Sequence, residues 1–414
     1  MHYSGPLRVA IDARQLWELG IGTYVRNLVG GLARASGADL ELTLLLPRRP
    51  GRDAWYDPAA AEAGIPGAVA SDGSAPVHSG SLPSAPLPSA MPLSAPLRVR
   101  VIGVRAGKQS AAEQLEVPFR LLGQRLDLVH VPHYVAPLAV PHPLVVTVHD
   151  VIHLLFPELL SPFRRRMAGR MLALALRRAR RVIVPSRRTA DDLAQLFPFA
   201  SRKLRVTGSG LAARFMTVPS QEAVEAWRAV RKLPRRYGVA VGAIRPHKNL
   251  VHLARAYAGS GLAPDVGLLV AGETPPRYAA LEDEIAASGG PGLQLIGWIP
   301  DRELPLLYAG ADFVAVPSLY EGFGLSALEG MASGVPVVAA DAGSLPELVG
   351  DAGLLISPHD LSGWTAALIR VARDAGLRAE LGARGQERAR AHRLEQLGAD
   401  TLAVYREAAA CAGS

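Results

Sequence analysis

The 414-residue chain carries one cysteine, Cys411, close to its end. A lone thiol cannot close an internal disulfide, so a disulfide-stapled scaffold is excluded and a reducing, cytoplasmic setting is expected. Long apolar runs are missing too: "MLALAL" and "VPVVAA" fall far short of the roughly 20 residues that span a bilayer. The N-terminus has no basic region followed by an apolar stretch, so no leader is expected. Any membrane contact is then peripheral, at the inner face of the cell membrane. Asp-x-Asp is absent, and the acidic cluster Glu282, Asp283 and Glu284 falls in "YAALEDEIAAS", which reads as an amphipathic helix surface. A bound metal is therefore not implied. Zinc-finger spacing and RNA-binding aromatic signatures are also lacking, so the net charge of +8 points to anionic small molecules or lipid head groups rather than to nucleic acid.

What is present is a rhythm. Short, β-branched apolar runs alternate with helical stretches: "LRVAIDA", "LELTLLLP", "VRVIGV", "LVVTVHD" and "RVIVPS", then "YGVAVGA", "VGLLVAG", "LQLIGWI", "FVAVPS", "VPVVAAD" and "GLLISP". Runs of this kind read as strands buried on both faces of a parallel sheet. The length exceeds what one core holds, so the fold class is α/β, with two Rossmann-like doubly wound domains facing a central cleft. The expected limits are 1–210 and 220–390, joined through "TGSGLAARFMTVPS", with 391–414 a helix returning to the first domain. The segment about 71–97 has six prolines between Pro76 and Pro96 and near-repeats of "SAPL", which reads as an extended insertion. In "FRRRMAGRMLALALRRARR" the residues Phe163, Met167, Met171 and Leu174 fall on one helical face among arginines. That face is expected to point into the core; the other reading is a surface that meets anionic lipid.

Chemistry concentrates at strand ends. "EGFGLSALEG" follows the strand "FVAVPS" and opens a helix near Leu325, with glycines at 322 and 324 that let backbone amides approach an anion or a sugar. Glu321 and Glu329 flank them; a carboxylate accepts two hydrogen bonds, which suits the adjacent hydroxyls of a ribose and not a phosphate. Cations for a diphosphate stand in "GAIRPHKNL", at Arg245 and Lys248. In the first half, "ELGIGTY" places Gly20 and Gly22 before a helix, and "LVVTVHD" ends a strand with His149 and Asp150.

These stretches together resemble glycosyltransferase family four, retaining enzymes that use nucleotide sugars and have the GT-B fold. The region running from "LIGWIPDRELPLLYAGADFVAVPS" through "LYEGFGLSALEG" to "LVGDAGLLISP" carries the resemblance most specifically. It implies that Glu329 holds the nucleotide ribose. Glu321, with Gly322, Phe323, Gly324 and Leu325, addresses the donor sugar. Gly242, Arg245, Lys248, Gly20 and Gly22 lie around the diphosphate, and His149, beside Asp150, contacts the transferred hexose. No cofactor is implied beyond the GDP- or UDP-sugar itself, and the acceptor is a glycan or lipid-linked sugar. The stretches "IDARQLWELGIGTY", "HDVIHLLFPE" and "GAIRPHKNL" look most like bacterial polysaccharide mannosyltransferases, which suggests GDP-mannose, with UDP-glucose and deoxyhexose donors left open. A nucleotide-sugar 2-epimerase of the same fold is the alternative enzyme, and a silent nucleotide-sugar-binding protein the alternative without catalysis. Two stretches depart from the family pattern: the hinge reads "TGSGLAARF" and the late segment reads "AHRLEQ".

Overall fold

The computed structural model describes residues 5–16, 20–36, 39–47, 98–107 and 110–410. The insertion at 71–97 and Cys411 lie outside them. Seven parallel strands form the first sheet: β1 (Leu7–Asp12), β2 (Leu40–Pro47), β3 (Arg98–Val104), β4 (Leu128–Val131), β5 (Leu144–Thr147), β6 (Arg181–Val184) and β7 (Leu204–Val206), in the order β3-β2-β1-β4-β5-β6-β7. Six parallel strands form the second: β8 (Tyr237–Val241), β9 (Gly267–Ala271), β10 (Leu293–Gly297), β11 (Phe313–Val316), β12 (Val337–Ala340) and β13 (Gly353–Ile356), in the order β10-β9-β8-β11-β12-β13. Both are doubly wound α/β sheets. Helices cover both faces, which is why the strands read as continuous apolar runs instead of alternating ones.

Strand order reverses between β1 and β4 in the first sheet and between β8 and β11 in the second. Loops leaving neighbouring strands there diverge to opposite faces and open a crevice at the carboxyl ends. The loops after β1, β8 and β11 carry the glycine, cationic and glutamate motifs.

Two strands escaped the sequence pattern. β4 is four residues long and contains His130, whose two ring nitrogens are hydrogen-bonded to the Tyr405 hydroxyl at 2.6 Å and the Thr147 hydroxyl at 2.8 Å. Partners on both sides let a polar ring sit fully buried, and burial pushes its pKa down to about 3. β7 is a three-residue edge strand that begins where the sequence reads as the approach to the hinge.

The last helix, Leu394–Ala410, lies across helix Ile21–Ser36, and its Leu397, Leu402 and Tyr405 join the core of the first sheet. The crossing is close because it is made of glycines: a Cβ on Gly398 would sit 2.1 Å from the Gly31 carbonyl oxygen, and one on Gly31 2.3 Å from that of Leu394.

Helix Pro162–Arg178 reverses the expected orientation. Phe163, Met167 and Leu174 are 73%, 42% and 47% exposed, while Leu172, Ala175 and Leu176 are the residues buried against the sheet. Met171 of the expected face stays half-buried, but the residues that join the core of the first sheet are Leu172 and Leu176, with Ala175 buried beside them. Core packing rewards fit as well as hydrophobicity, so hydrophobic spacing alone chose the wrong face.

Candidate functional site

β8 ends at Val241 and the chain turns through Gly242 to the 3-10 turn Pro246–Lys248, while β11 ends at Val316 and runs through Pro317 and Ser318 to Glu321. Because β8 and β11 are neighbours, these loops meet. The Lys248 Nζ lies 2.5 Å from Glu321 Oε1, and the Ser318 hydroxyl donates to the same oxygen at 2.6 Å. Gly242, Lys248, Pro317, Ser318, Glu321 and Ser326 line a common pocket. Burial pushes the Glu321 carboxyl up, yet the Lys248 ammonium and the Ser318 hydroxyl outweigh it and hold the carboxyl below its ordinary value. Glu321 is therefore a carboxylate at neutral pH. Arg245 is on the same turn, its carbonyl accepting from the Lys248 amide at 3.0 Å, with its side chain exposed.

Glu329 sits elsewhere. It is buried inside helix Leu325–Ala332, outside the pocket of Lys248, and its Oε2 accepts from the Tyr308 hydroxyl at 3.0 Å. Burial raises its pKa to about 7, with Arg214 and Tyr308 pulling against that rise. Gly324 immediately precedes this helix and Leu325 is its first residue. Phe323 packs edge-on against His392, 5.5 Å between ring centres.

The first domain reaches this wall through β5. His149 and Asp150 follow that strand; the His149 Nε2 donates to the Pro132 carbonyl at 3.0 Å, and Asp150 Oδ1 accepts from the Ile152 amide at 3.1 Å. A Cβ on Gly322 would lie 2.0 Å from the His149 carbonyl oxygen. Only glycine permits that approach, so the "EGFG" turn and the His149 strand end touch directly. Tyr24, from the helix that Gly20 precedes and whose first turn contains Gly22, stands edge-on to His149 at 4.7 Å. The three groups of residues therefore form one neighbourhood, with Glu329 one helical turn or more behind it.

Several contributors were not read from the sequence. Ser186 and Thr189 donate to the Gly322 carbonyl at 2.7 and 3.2 Å. The Tyr320 hydroxyl donates to Asp192 at 2.7 Å, and Glu347 accepts the Arg187 amide at 3.0 Å, a carboxylate placed at the N-terminus of helix Arg187–Leu196 from the opposite domain. Ser186 had a visible signal as the N-cap of that helix, but nothing in its spacing pointed across the cleft. His247 is another: it is half-buried with its Nδ1 unpaired, and burial beside Lys248 pushes its pKa down to about 4. Among the described residues, no group of three His, Cys, Asp or Glu side chains is arranged to hold a metal, and no helix is long and apolar enough to cross a membrane.

The family model for glycosyl transferases group 1 matches residues 224–388, and that for Glycosyltransferase Family 4 matches residues 20–214. Together they span most of the chain, one on each sheet. This chain belongs to glycosyltransferase family four. The glycosyltransferase is 29% identical to the O-antigen chain mannosyltransferase B of Escherichia coli, over 64% of this chain and 71% of that one. It is 34% identical to the D-inositol 3-phosphate glycosyltransferase of Salinispora tropica, over 65% of this chain and 60% of that one. Among solved structures, HepE of Anabaena in complex with UDP-glucose superposes with a TM-score of 0.69 at 19% identity, covering 96% of this chain and 99% of that one. At that identity the likeness is one of fold, and the fold is GT-B.

Proposed function

We propose that this glycosyltransferase moves a hexose from a nucleoside diphosphate sugar to an acceptor hydroxyl with retention at the anomeric carbon, and that the donor is GDP-mannose. The observation that carries the reading is the Lys248–Glu321 pair at the switch point of the second sheet, brought against His149 by Gly322. Lys248, with Arg245 on the same turn, neutralises the diphosphate as it departs, assisted by amides at Gly20, Gly22 and Gly242. Glu321 and the amides from Gly322 to Leu325 take hydroxyls of the sugar, and His149 closes over it while Asp150 holds the turn that presents His149. Glu329 accepts the ribose hydroxyls. The bond between the anomeric carbon and the diphosphate oxygen breaks, the acceptor oxygen bonds to the same face, and the acceptor proton passes to the departing phosphate. No metal or further cofactor takes part in this scheme. Glu321 is held ionised by Lys248 and Ser318, which suits it to hydroxyls and ties it away from nucleophilic attack.

Mannose is supported by the O-antigen chain mannosyltransferase among the relatives. The acceptor is a glycan, carried on lipid, and the exposed stripe of Phe163, Met167 and Leu174, with Arg164, Arg166, Arg170 and Arg177 exposed on the same helix, fits an anionic bilayer surface at the inner face of the cell membrane. Cosedimentation with phosphatidylglycerol vesicles, absent with phosphatidylcholine alone and lost in Phe163→Ser/Met167→Ser, is the expected result; equal binding to both, or none, overturns that contact. For the reaction itself, Lys248→Ala and Glu321→Gln should each lower turnover by about 10²–10³. Near wild-type turnover in either variant contradicts the assignments.

A further inference from the structure

Four charges of alternating sign connect the glycine loop of the first domain to Glu329 in the second. Arg26, on helix Ile21–Ser36, donates from Nη1 to the Leu16 carbonyl at 2.6 Å and from Nη2 to Asp301 Oδ2 at 2.7 Å. Leu16 lies in the segment that leads from β1 toward Gly20, whereas Asp301 follows β10 in the other domain. The same Asp301 oxygen is 3.7 Å from Nη2 of Arg214, which belongs to the stretch joining the domains. That Nη2 is in turn 4.0 Å from Glu329 Oε1. The Arg214 guanidinium lies over the Phe215 ring at 5.1 Å, and Phe215 packs edge-on against Tyr308, the hydroxyl donor to Glu329. Its Nε is buried with no hydrogen-bond partner, a cost the fold accepts to keep this guanidinium between two carboxylates.

Ordinary surface ion pairs contribute little and have no reason to form a series. Here the series joins two groups that must act on opposite ends of one ligand: the glycine loop at the diphosphate and Glu329 at the ribose. It also passes through the hinge, so a change in the angle between the domains would stretch it. We propose that Arg26, Asp301 and Arg214 are positioning residues that lock the glycine loop and the ribose carboxylate in one register across the domain boundary, so that a nucleoside diphosphate is gripped from both domains at once. This rests on Glu329 being the ribose carboxylate of the proposed donor site. None of the three positioning residues need touch the donor. Their effect is on how much affinity the diphosphate adds to the nucleoside.

Titration calorimetry with GDP and UDP, and with guanosine and uridine, tests this on the full chain. Asp301→Asn and Arg26→Met should each weaken nucleoside diphosphate binding about tenfold while leaving nucleoside binding within twofold. The double variant should be no weaker than the poorer single one, since both break the same link. Asp301→Glu should restore most of the loss, and melting temperatures should move little. Additive losses in the double variant, equal losses for nucleoside and diphosphate, or a loss that follows the melting temperature overturns the proposal. Glu329→Gln separates the two claims: if it binds GDP and UDP as tightly as wild type, or if wild type binds neither, the donor-site reading falls and this inference with it. If Glu329→Gln is weakened and the Asp301 and Arg26 variants are not, only the register lock is wrong.

Discussion

Over six strands the two sheets share one order, yet the residues at their carboxyl ends differ in kind. The second sheet presents Lys248, Ser318 and Glu321 in direct contact, with Glu329 ionisable behind them. The first presents Gly20, Gly22 and His149, and the charged residues at the end of its β1, Asp12 and Arg14, are engaged with each other and with Glu113 in a buried ion-pair network. In the proposed reaction the second domain holds the charged donor and the first closes over it. Exposed apolar side chains occur in both halves, singly at Val230, Trp298 and Leu361 in the second, and as the stripe Phe163, Met167 and Leu174 on one arginine-rich helix in the first. If the proposed division holds, with the donor on the second domain and a lipid-borne acceptor on the first, one architecture carries two different surfaces.

The comparison can be broken most severely where the halves touch. Gly322→Val would drive a side chain into the His149 carbonyl, so the domains should separate. Transfer should fall about 100-fold or more, as misplacement of reacting groups by about 1 Å can cost that much. Small-angle scattering should show a larger radius of gyration at an unchanged melting temperature. If turnover stays within threefold, contact between the "EGFG" turn and His149 is not needed for chemistry.

The next effect concerns only the second domain. In the proposed donor site Glu329 takes both ribose hydroxyls best as a carboxylate, and burial has raised its pKa to about 7. For the free protein, neutral Glu329 adds stability below the unfolded carboxyl range near 4, and that contribution is lost as pH rises through about 7. Nucleotide binding has the opposite sense: affinity should weaken by up to about tenfold per pH unit below 7. Tyr308→Phe removes a hydrogen bond that lowers this pKa, so the midpoint should shift upward. Calorimetry from pH 6 to 8 checks both; a pH-independent affinity contradicts the role of Glu329.

A smaller effect sharpens the first domain's side. Gly398→Val overfills the helix crossing at Gly31, which should cost about 1–3 kcal/mol or more. Unfolding in urea should then lose stability in the first domain while the second, whose core does not include that helix, keeps its transition. A single transition shifted as a whole would show that the two domains unfold together.

The same contrast governs what could be read from the sequence. All six strands of the second sheet were legible, because each is a short apolar run bounded by turn residues, fully buried in β9, β11 and β12 and still apolar at the half-buried edges β10 and β13. In the first sheet β4 was missed, since His130 interrupts a four-residue run and its partners, Tyr405 and Thr147, are distant in sequence. The face of helix Pro162–Arg178 was misread because apolar periodicity reports hydrophobicity and not which stripe fits the sheet. Candidate residues inside one motif, such as Glu321 and Gly322, could be picked out locally. Those that pair across motifs, such as Arg26 and Asp301, 275 positions apart, left no local signal.

The most direct test of a nucleotide-sugar cleft is the melting temperature of the wild-type protein with GDP-mannose, UDP-glucose, UDP-N-acetylglucosamine and dTDP-rhamnose, each beside Glu329→Gln. At about 100 times its dissociation constant the true donor should add about 2.7 kcal/mol of stability. The account predicts a clear upward shift with GDP-mannose that is largely lost in Glu329→Gln. A shift with another of the four would replace mannose as the transferred sugar, and no shift with any of them would contradict the donor site itself.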